Sequence, residues 1–412
     1  MNQITKFGIE IVERLKKNIL ILILTIGTFI FLIFLNITIK LNVANNKTSK
    51  KIVQLTVELD NLFSNNSLLK NPDYLEALIN RDDENGDITK TYSGLTLKDF
   101  YVASSSNSIV CNKMYDGFIN IDMLGVILDH GARLITLDIF TDSYCRLGKP
   151  VVAMNLPTET YYKNTIGTYN YIYFDECCAK IIEHAFLKNK DDPLFIILNL
   201  HLDSLLIKNK ENIINSIVLS LNKYFGNSNR LLGSDYSYQR TIIANAPIED
   251  LMGKIVIFCS KGFAGTDLEE LVNYSWEEKS ELAKDSMSPE FMLQYSSKEF
   301  NELDSNGIEL LKELNKKNVT IIQAHNGTSI TSVNYNIKMA WNAGCQFVGI
   351  DYSNLISTNI YSEQFGEYSF IFKDKNMRFE PEYVVIDKYQ NPNFNLKGKP
   401  IGNSAFSKDL IL

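Results

Sequence analysis

Eight short apolar, β-branched runs recur after Leu95, and helix-period stretches separate most of them. They are YVAS (101–104), LITLDIF (134–140), PVVAMN (150–155), FIILNLHL (195–202), KIVIFCS (254–260), NVTIIQAH (318–325), CQFVGIDY (345–352) and YSFIFK (368–373). A strand that is apolar on both faces needs cover on both faces, and intervening helices supply it in a parallel sheet. Eight such strands predict an α/β fold, an irregular (β/α)8 TIM-type barrel. The irregularity is expected between 140 and 150, where the link is too short for a helix. An open doubly wound sheet is the second reading, but no Gly-rich phosphate loop follows any strand. In a barrel, chemistry gathers at the C-terminal ends of the strands. The residues placed there are Ser106, Asn107, Asp138, Met154, His201, Ser260, Asn326 and Asp351.

The N-terminus sets a second constraint. From Asn18 to Ile39 no residue is charged. As a helix this run crosses a hydrocarbon layer of about 30 Å. A signal-peptide core is usually only about 7–15 residues long, and no small-residue cleavage site follows cleanly. A single-pass N-terminal transmembrane helix over 18–40, after a tail at 1–17, is therefore expected. Lys6, Arg14, Lys16 and Lys17 ahead of the run argue for a cytosolic N-terminus. Lys47, Lys50 and Lys51 argue against it from the other side, so the side of the membrane stays open. Residues 41–94 are polar with scattered apolar positions and read as a stalk or packing arm of short helices.

Composition narrows the function classes. The net charge of −7 over 412 residues gives no basic face for nucleic acid. Six cysteines without a CxxC pair argue against a zinc ribbon.

The order of these segments resembles a known family. DFYVASSSNS, GARLITLDIF, PVV and AFLKNKDDPLFIILNLHLD are similar to the X region of phosphoinositide-specific phospholipase C, and LMGKIVIFCSKG to its end. NYNIKMAWNAGCQFVGIDY and GEYSFIFKDKNMRFEP resemble the Y region, with Trp341 to Gln346 the most specific match. DLEELVNY and MSPEFMLQYSSKEF resemble the connection between the two. The resemblance covers roughly residues 95–381. It implies an X-like half barrel at 95–263, an X/Y connection at 264–300, a Y-like half barrel at 301–381 and a C-terminal tail at 382–412.

The family cleaves phosphatidylinositol 4,5-bisphosphate with two histidines and a bound calcium, combining general acid–base catalysis with a Lewis acid. Where the resemblance places the first histidine, this chain has Ser106; where it places the second, Met154. A hydroxyl cannot carry a proton's charge near neutral pH as imidazole does, and a thioether has no proton to transfer. His130, His184 and His325 fall at neither position and read as structural or surface residues. Of the implied calcium ligands, Asn107 and Asp138 are kept, while Thr136 and His201 stand where carboxylates are implied. One carboxylate is a weak donor set for calcium, so that cofactor is expected only in weakened form. Asp203 is a further candidate on the same strand face. A transition metal on Asn107, Asp138 and His201 is the alternative.

Phosphate contacts are thinned as well. Phe258 and Ser260 occupy the implied lysine positions, with Lys261 one residue on, and Ser329 occupies the implied arginine position. Tyr335 keeps an aromatic ring at the substrate-stacking position. The expectation is therefore a membrane-anchored phospholipase C-like pseudoenzyme. It would bind a lipid headgroup or a protein partner in lipid metabolism or signal transduction. An active phosphoric diester hydrolase of altered chemistry on Asn107, Asp138 and His201 is the first alternative. A structural membrane protein with the barrel as scaffold is the second.

Overall fold

The computed structural model describes residues 2–63, 95–111, 117–142, 148–155, 166–188, 190–203, 207–276, 292–324, 335–366 and 368–379. Ser329, His325 and the segments 64–94 and 380–412 lie outside them.

Along the chain, helix α1 spans Asn2–Phe63 and strand β1 Phe100–Ser105. Then come α2 (Asp122–Asp129), β2 (Leu134–Thr141), β3 (Pro150–Val152) and β4 (Ile172–Tyr173). The middle comprises α3 (Phe174–His184), β5 (Leu194–Leu200), α4 (Ile207–Leu221), β6 (Ile255–Cys259) and β7 (Tyr274–Ser275). The last part holds β8 (Met292–Ser296), α5 (Ser305–Leu314), β9 (Val319–Gln323) and α6 (Ile337–Asn342). It closes with β10 (Phe347–Ile350), α7 (Leu355–Phe365) and β11 (Phe370–Phe372).

Eight strands form one curled sheet in the order β7-β6-β5-β2-β1-β10-β9-β8, and every pair along that path is parallel. This is the α/β, TIM-like architecture that the alternation of strand and helix predicts. It differs from the expected barrel in closure. The sheet path begins at β7 and ends at β8, and across that seam the Tyr274 hydroxyl donates to the Met292 carbonyl at 3.0 Å.

Two of the expected staves are not staves. Residues 150–152 run antiparallel against the far end of β2, pairing Ile139 with Val152 and Thr141 with Pro150. Residues 370–372 run antiparallel along the start of β1. Their places in the barrel are taken by β7 and β8. Apolar β-branched texture marks a buried strand but not its direction, whereas β7 has two residues and β8 is half-exposed for most of its length.

Strand alternation sorts the core into two layers. Val102, Leu134, Phe195, Ile197, Val256, Phe258, Met292, Val319, Ile321 and Phe347 fill the sheet's concave interior. Leu97, Ile243, Ile248 and Leu251 join the same cluster at the N-terminal end of the strands. The intervening residues, such as Ala103, Ile135, Leu137, Ile196, Ile257 and Val348, pack outward against the helices. Burying this apolar area at roughly 25 cal/mol per Å² is the main force holding the sheet curled.

The segment of most specific resemblance is a structural knot. Gln346 donates from Nε2 to the carbonyls of Asn315 and Asn318, and accepts the Thr320 N–H at Oε1. Asn315 in turn donates to the Ala343 carbonyl at 2.7 Å. Gly344 sits at φ 75, where a Cβ would be strained. Arg133 is likewise buried, donating to the Ala185 carbonyl beside the buried Asp192.

Helix α1 runs without a break from the uncharged stretch into its docked end. Its residues from 16 to 37 are exposed, and it is long and apolar enough to cross a membrane. Thr48, Ile52, Leu55, Leu59 and Phe63 are buried, at the three-to-four spacing of one helix face. They pack on α2 and α7. His130 fixes the end, with Nε2 3.1 Å from Asp60 Oδ1 and its ring against Phe63.

Candidate functional site

The loop after β1 is knitted into the barrel rather than left open. The Ser106 N–H donates to the Ile350 carbonyl at 2.8 Å, and its hydroxyl accepts the Ala324 N–H at 3.1 Å. Ser106 is only 3% exposed. A Cβ built on Gly349 would collide with the Ser106 hydroxyl, so the two residues share one close approach. Ser108 accepts the Thr136 N–H at 3.0 Å and donates to Ser105. Asn107 turns the chain at φ 53, the left-handed region that Asn tolerates better than most side chains.

Across this loop lies the polar end of β2 and β5. Asp138 pairs in register with Asn199. Asp138 Oδ1 accepts from Asn199 Nδ2 at 2.9 Å and lies 3.2 Å from His201 Nε2. The His201 ring stacks on Phe140 with centroids 4.7 Å apart and planes 15° apart. Burial alone pushes the Asp138 carboxyl up. The His201 hydrogen bond and charge, the Asn199 amide and the Asn155 backbone N–H outweigh burial and hold it below its ordinary value.

Met154 follows β3, whose neighbour Ala153 donates its N–H to the Asp138 carbonyl. The Met154 side chain is 2% exposed and belongs to the core. The structure thus brings Ser106, Thr136, Asp138, Met154 and His201 to one end of the sheet, around β1, β2 and β5.

The remaining expected residues have other places. Tyr335 donates its hydroxyl to the Gly349 carbonyl at 2.9 Å, and its ring meets Phe300 edge-on. Ser260 follows β6, and its carbonyl accepts from the Ser275 hydroxyl. Phe258 is fully buried between Phe195 and Trp276. Asp203 departs from the expected strand face: β5 ends at Leu200, and Asp203 lies in the following turn, 3.3 Å from Lys261 and 3.9 Å from Lys210. Asn199 and the Asn155 backbone were not anticipated. Asn199 carries a readable signal, a polar residue two positions before His201 in an otherwise apolar strand.

The donor set does not suit a hard cation. Calcium takes roughly six to eight oxygens, mostly carboxylate. Among the described residues around β1, β2 and β5, the Asp138 carboxylate has its Oδ1 already holding Asn199 and His201, the Thr136 hydroxyl is directed at the Ser105 carbonyl, and Asp203 is paired with Lys261 and Lys210. Among the described residues no three His, Cys, Asp or Glu side chains converge to hold a metal.

The curled parallel sheet is similar in fold to solved phospholipase C structures. The chain is similar to PLC21 of L. pealei, with a TM-score of 0.53 and 20% identity, over 69% of this chain and 38% of that one. It is also similar to PLC21 of S. officinalis (TM-score 0.49, 20% identity, 75% of this chain and 45% of that one). A calcium-dependent phosphoinositol-specific phospholipase C from a Pseudomonas species matches at TM-score 0.40 and 10% identity, over 68% of this chain and 96% of that one. This chain spans less than half the length of either PLC21 structure. No family model and no curated protein matches the sequence.

Proposed function

We propose that the chain is a membrane-anchored phospholipase-C-like protein that binds a phosphoinositide headgroup without hydrolysing it. The observation that carries this reading is the pair Ser106 and Met154. The resemblance implies histidines at both positions. One is instead a buried hydroxyl accepting the Ala324 N–H, the other a buried thioether in the core. Acid–base groups of this kind contribute about 10²–10⁴-fold each, so a barrel lacking both retains binding surface but little turnover. Lys261 and Lys210, beside Asp203 next to the strand ends, supply cationic charge for a phosphate. Helix α1 supports the anchor by its length and its exposed apolar stretch. A resident calcium has no role in this reading, because the Asp138 carboxylate is already held by Asn199 and His201 and no second carboxylate joins it among the described residues.

The Asp138–His201 contact favours a second reading. An imidazole oriented by a carboxylate is the arrangement of a general base. In that reading His201 takes the proton of an attacking hydroxyl and Asp138 holds the ring. Purified chain on vesicles of labelled phosphatidylinositol 4,5-bisphosphate separates the two. Binding without release of inositol phosphate supports the first; release that Asp138→Ala abolishes supports the second.

A further inference from the structure

A cleft on the helical face of the barrel takes no part in the site described above. It holds about 800 Å³ and is walled by α5, α6, the end of α7 and the turn after β11. Tyr101, the second residue of β1, and Asn342, which ends α6 before β10 begins, both line it. Both lie toward the N-terminal end of the parallel strands, whereas Ser106, Asp138 and His201 gather at the other end. The volume falls within the roughly 300–1,000 Å³ of small-molecule sites.

Three chemistries line the cleft. Ile308, Met339 and Met377 form an apolar part, and methionine side chains adapt to irregular ligands. Asn342 and Asn376 bring amides, which donate and accept at once. Glu309 and Lys312 stand one turn apart on α5, and neither has a hydrogen-bond or ion-pair partner among the described residues. Lys338 and Glu363, by contrast, already pair with each other at 2.8 Å.

Trp341 adds a donor that the fold leaves unused. Its ring is held against Tyr361 and Phe365, and its carbonyl accepts from the Tyr101 hydroxyl at 2.9 Å. The residue is 7% exposed and lines the cleft, yet its buried Nε1–H has no acceptor among the described residues. Buried donors in native proteins are nearly always paired, so an acceptor on a bound molecule would complete this one.

A matching molecule needs opposite charges, an acceptor between them and an apolar side chain. A free dipeptide has all of these. At about 3.3–3.6 Å per residue its two charges stand about 7 Å apart. Side chains three apart on a helix start about 5–6 Å from each other at Cβ, so Glu309 and Lys312 can each reach one end. We propose that this cleft binds a short zwitterionic peptide with an apolar side chain. Its ammonium meets Glu309, its carboxylate Lys312, and its peptide group the Asn342 and Asn376 amides and the Trp341 donor. The inference stands apart from headgroup binding and from turnover.

Tryptophan fluorescence tests it on the full chain in detergent. The chain has two tryptophans, Trp276 and Trp341. Trp276→Phe removes the other emitter, and Trp276 Nε1 makes no hydrogen bond to lose. The probe is leucyl-leucine, with N-acetyl-leucyl-leucine and leucyl-leucinamide as forms that each lack one charge. The expected result is a saturable shift of Trp341 emission with leucyl-leucine. Lys312→Ala and Glu309→Gln, which break no contact in the fold, are each expected to weaken binding about tenfold, the scale of one lost charged hydrogen bond. Each capped peptide should be weakened to the same degree. No saturable shift overturns the proposal. Equal binding of the capped peptides overturns the zwitterion, and a shift unchanged in both variants overturns the cleft as its site.

Discussion

Asp138 Oδ1 is shared by two side chains, Asn199 of β5 with Nδ2 at 2.9 Å and His201, just past the strand's end, with Nε2 at 3.2 Å. The carboxylate joins β2 to β5 at the end where the barrel's polar residues meet. Replacing it with alanine leaves an amide and an imidazole without their acceptor, at a cost of about 1–3 kcal/mol. The pH dependence has a definite sign. The folded carboxyl lies below its ordinary value, so its contribution is complete above about pH 4 and is lost as pH falls through the folded value. Asp138→Asn is expected to flatten the acid limb of a denaturation-against-pH curve. An unchanged limb contradicts this.

Gly349 and Ser106 form a tight pair across β10 and the β1 loop. A methyl on Gly349 would collide with the Ser106 hydroxyl and stand 2.9 Å from the Ile322 carbonyl. Gly349→Ala is expected to destabilise the chain by about 1–3 kcal/mol, as overpacking does. Because the two residues collide, Ser106→Ala should absorb part of that cost, giving a double variant less damaged than the sum. Chemical denaturation of the four forms in detergent measures the coupling; strict additivity opposes it.

The docked half of α1 depends on a narrow stripe. Leu59 is fully buried within it, and truncation to alanine removes packing worth about 2–5 kcal/mol. Leu59→Ala should speed amide exchange along residues 48–63 while β2 and β5 stay protected, because the sheet's own core is untouched. Exchange that accelerates equally in the sheet would show that the arm and the barrel unfold as one.

Lys373 is buried under the Trp341–Gln346 segment, donating to the Gly344 carbonyl at 2.7 Å with its ammonium over the Tyr101 ring. Burial lowers its pKa to about 7, against weaker opposing charges from Cys345 and Asp99. A depressed lysine means that the unfolded chain binds the extra proton between about pH 7 and the ordinary lysine value. Stability therefore rises with pH across that window. The Tm of the native chain should climb relative to Lys373→Met from about pH 7 toward about pH 10. A constant gap between the two contradicts it.

Six of the strands were legible because a parallel strand covered on both sides must be apolar throughout, as LITLDIF and KIVIFC are. PVV and FIF carry the same texture yet pair antiparallel, since burial is written in composition and direction is not. Asp138 and His201 stood out as polar residues in apolar strands. The Ser106–Gly349 approach did not, because it joins residues far apart in the chain. The same holds for α1: the stripe from Thr48 to Phe63 is periodic, but its partners α2 and α7 are set by tertiary packing.

With Ser106 and Met154 where the resemblance implies histidines, we propose that this end of the barrel binds without turnover. The direct measurement is release of soluble inositol phosphate from labelled phosphatidylinositol 4,5-bisphosphate vesicles by the purified full chain, with Asp138→Ala alongside. Both proteins are expected to release no more label than buffer. Sustained release by the native chain, lost in Asp138→Ala, would contradict it.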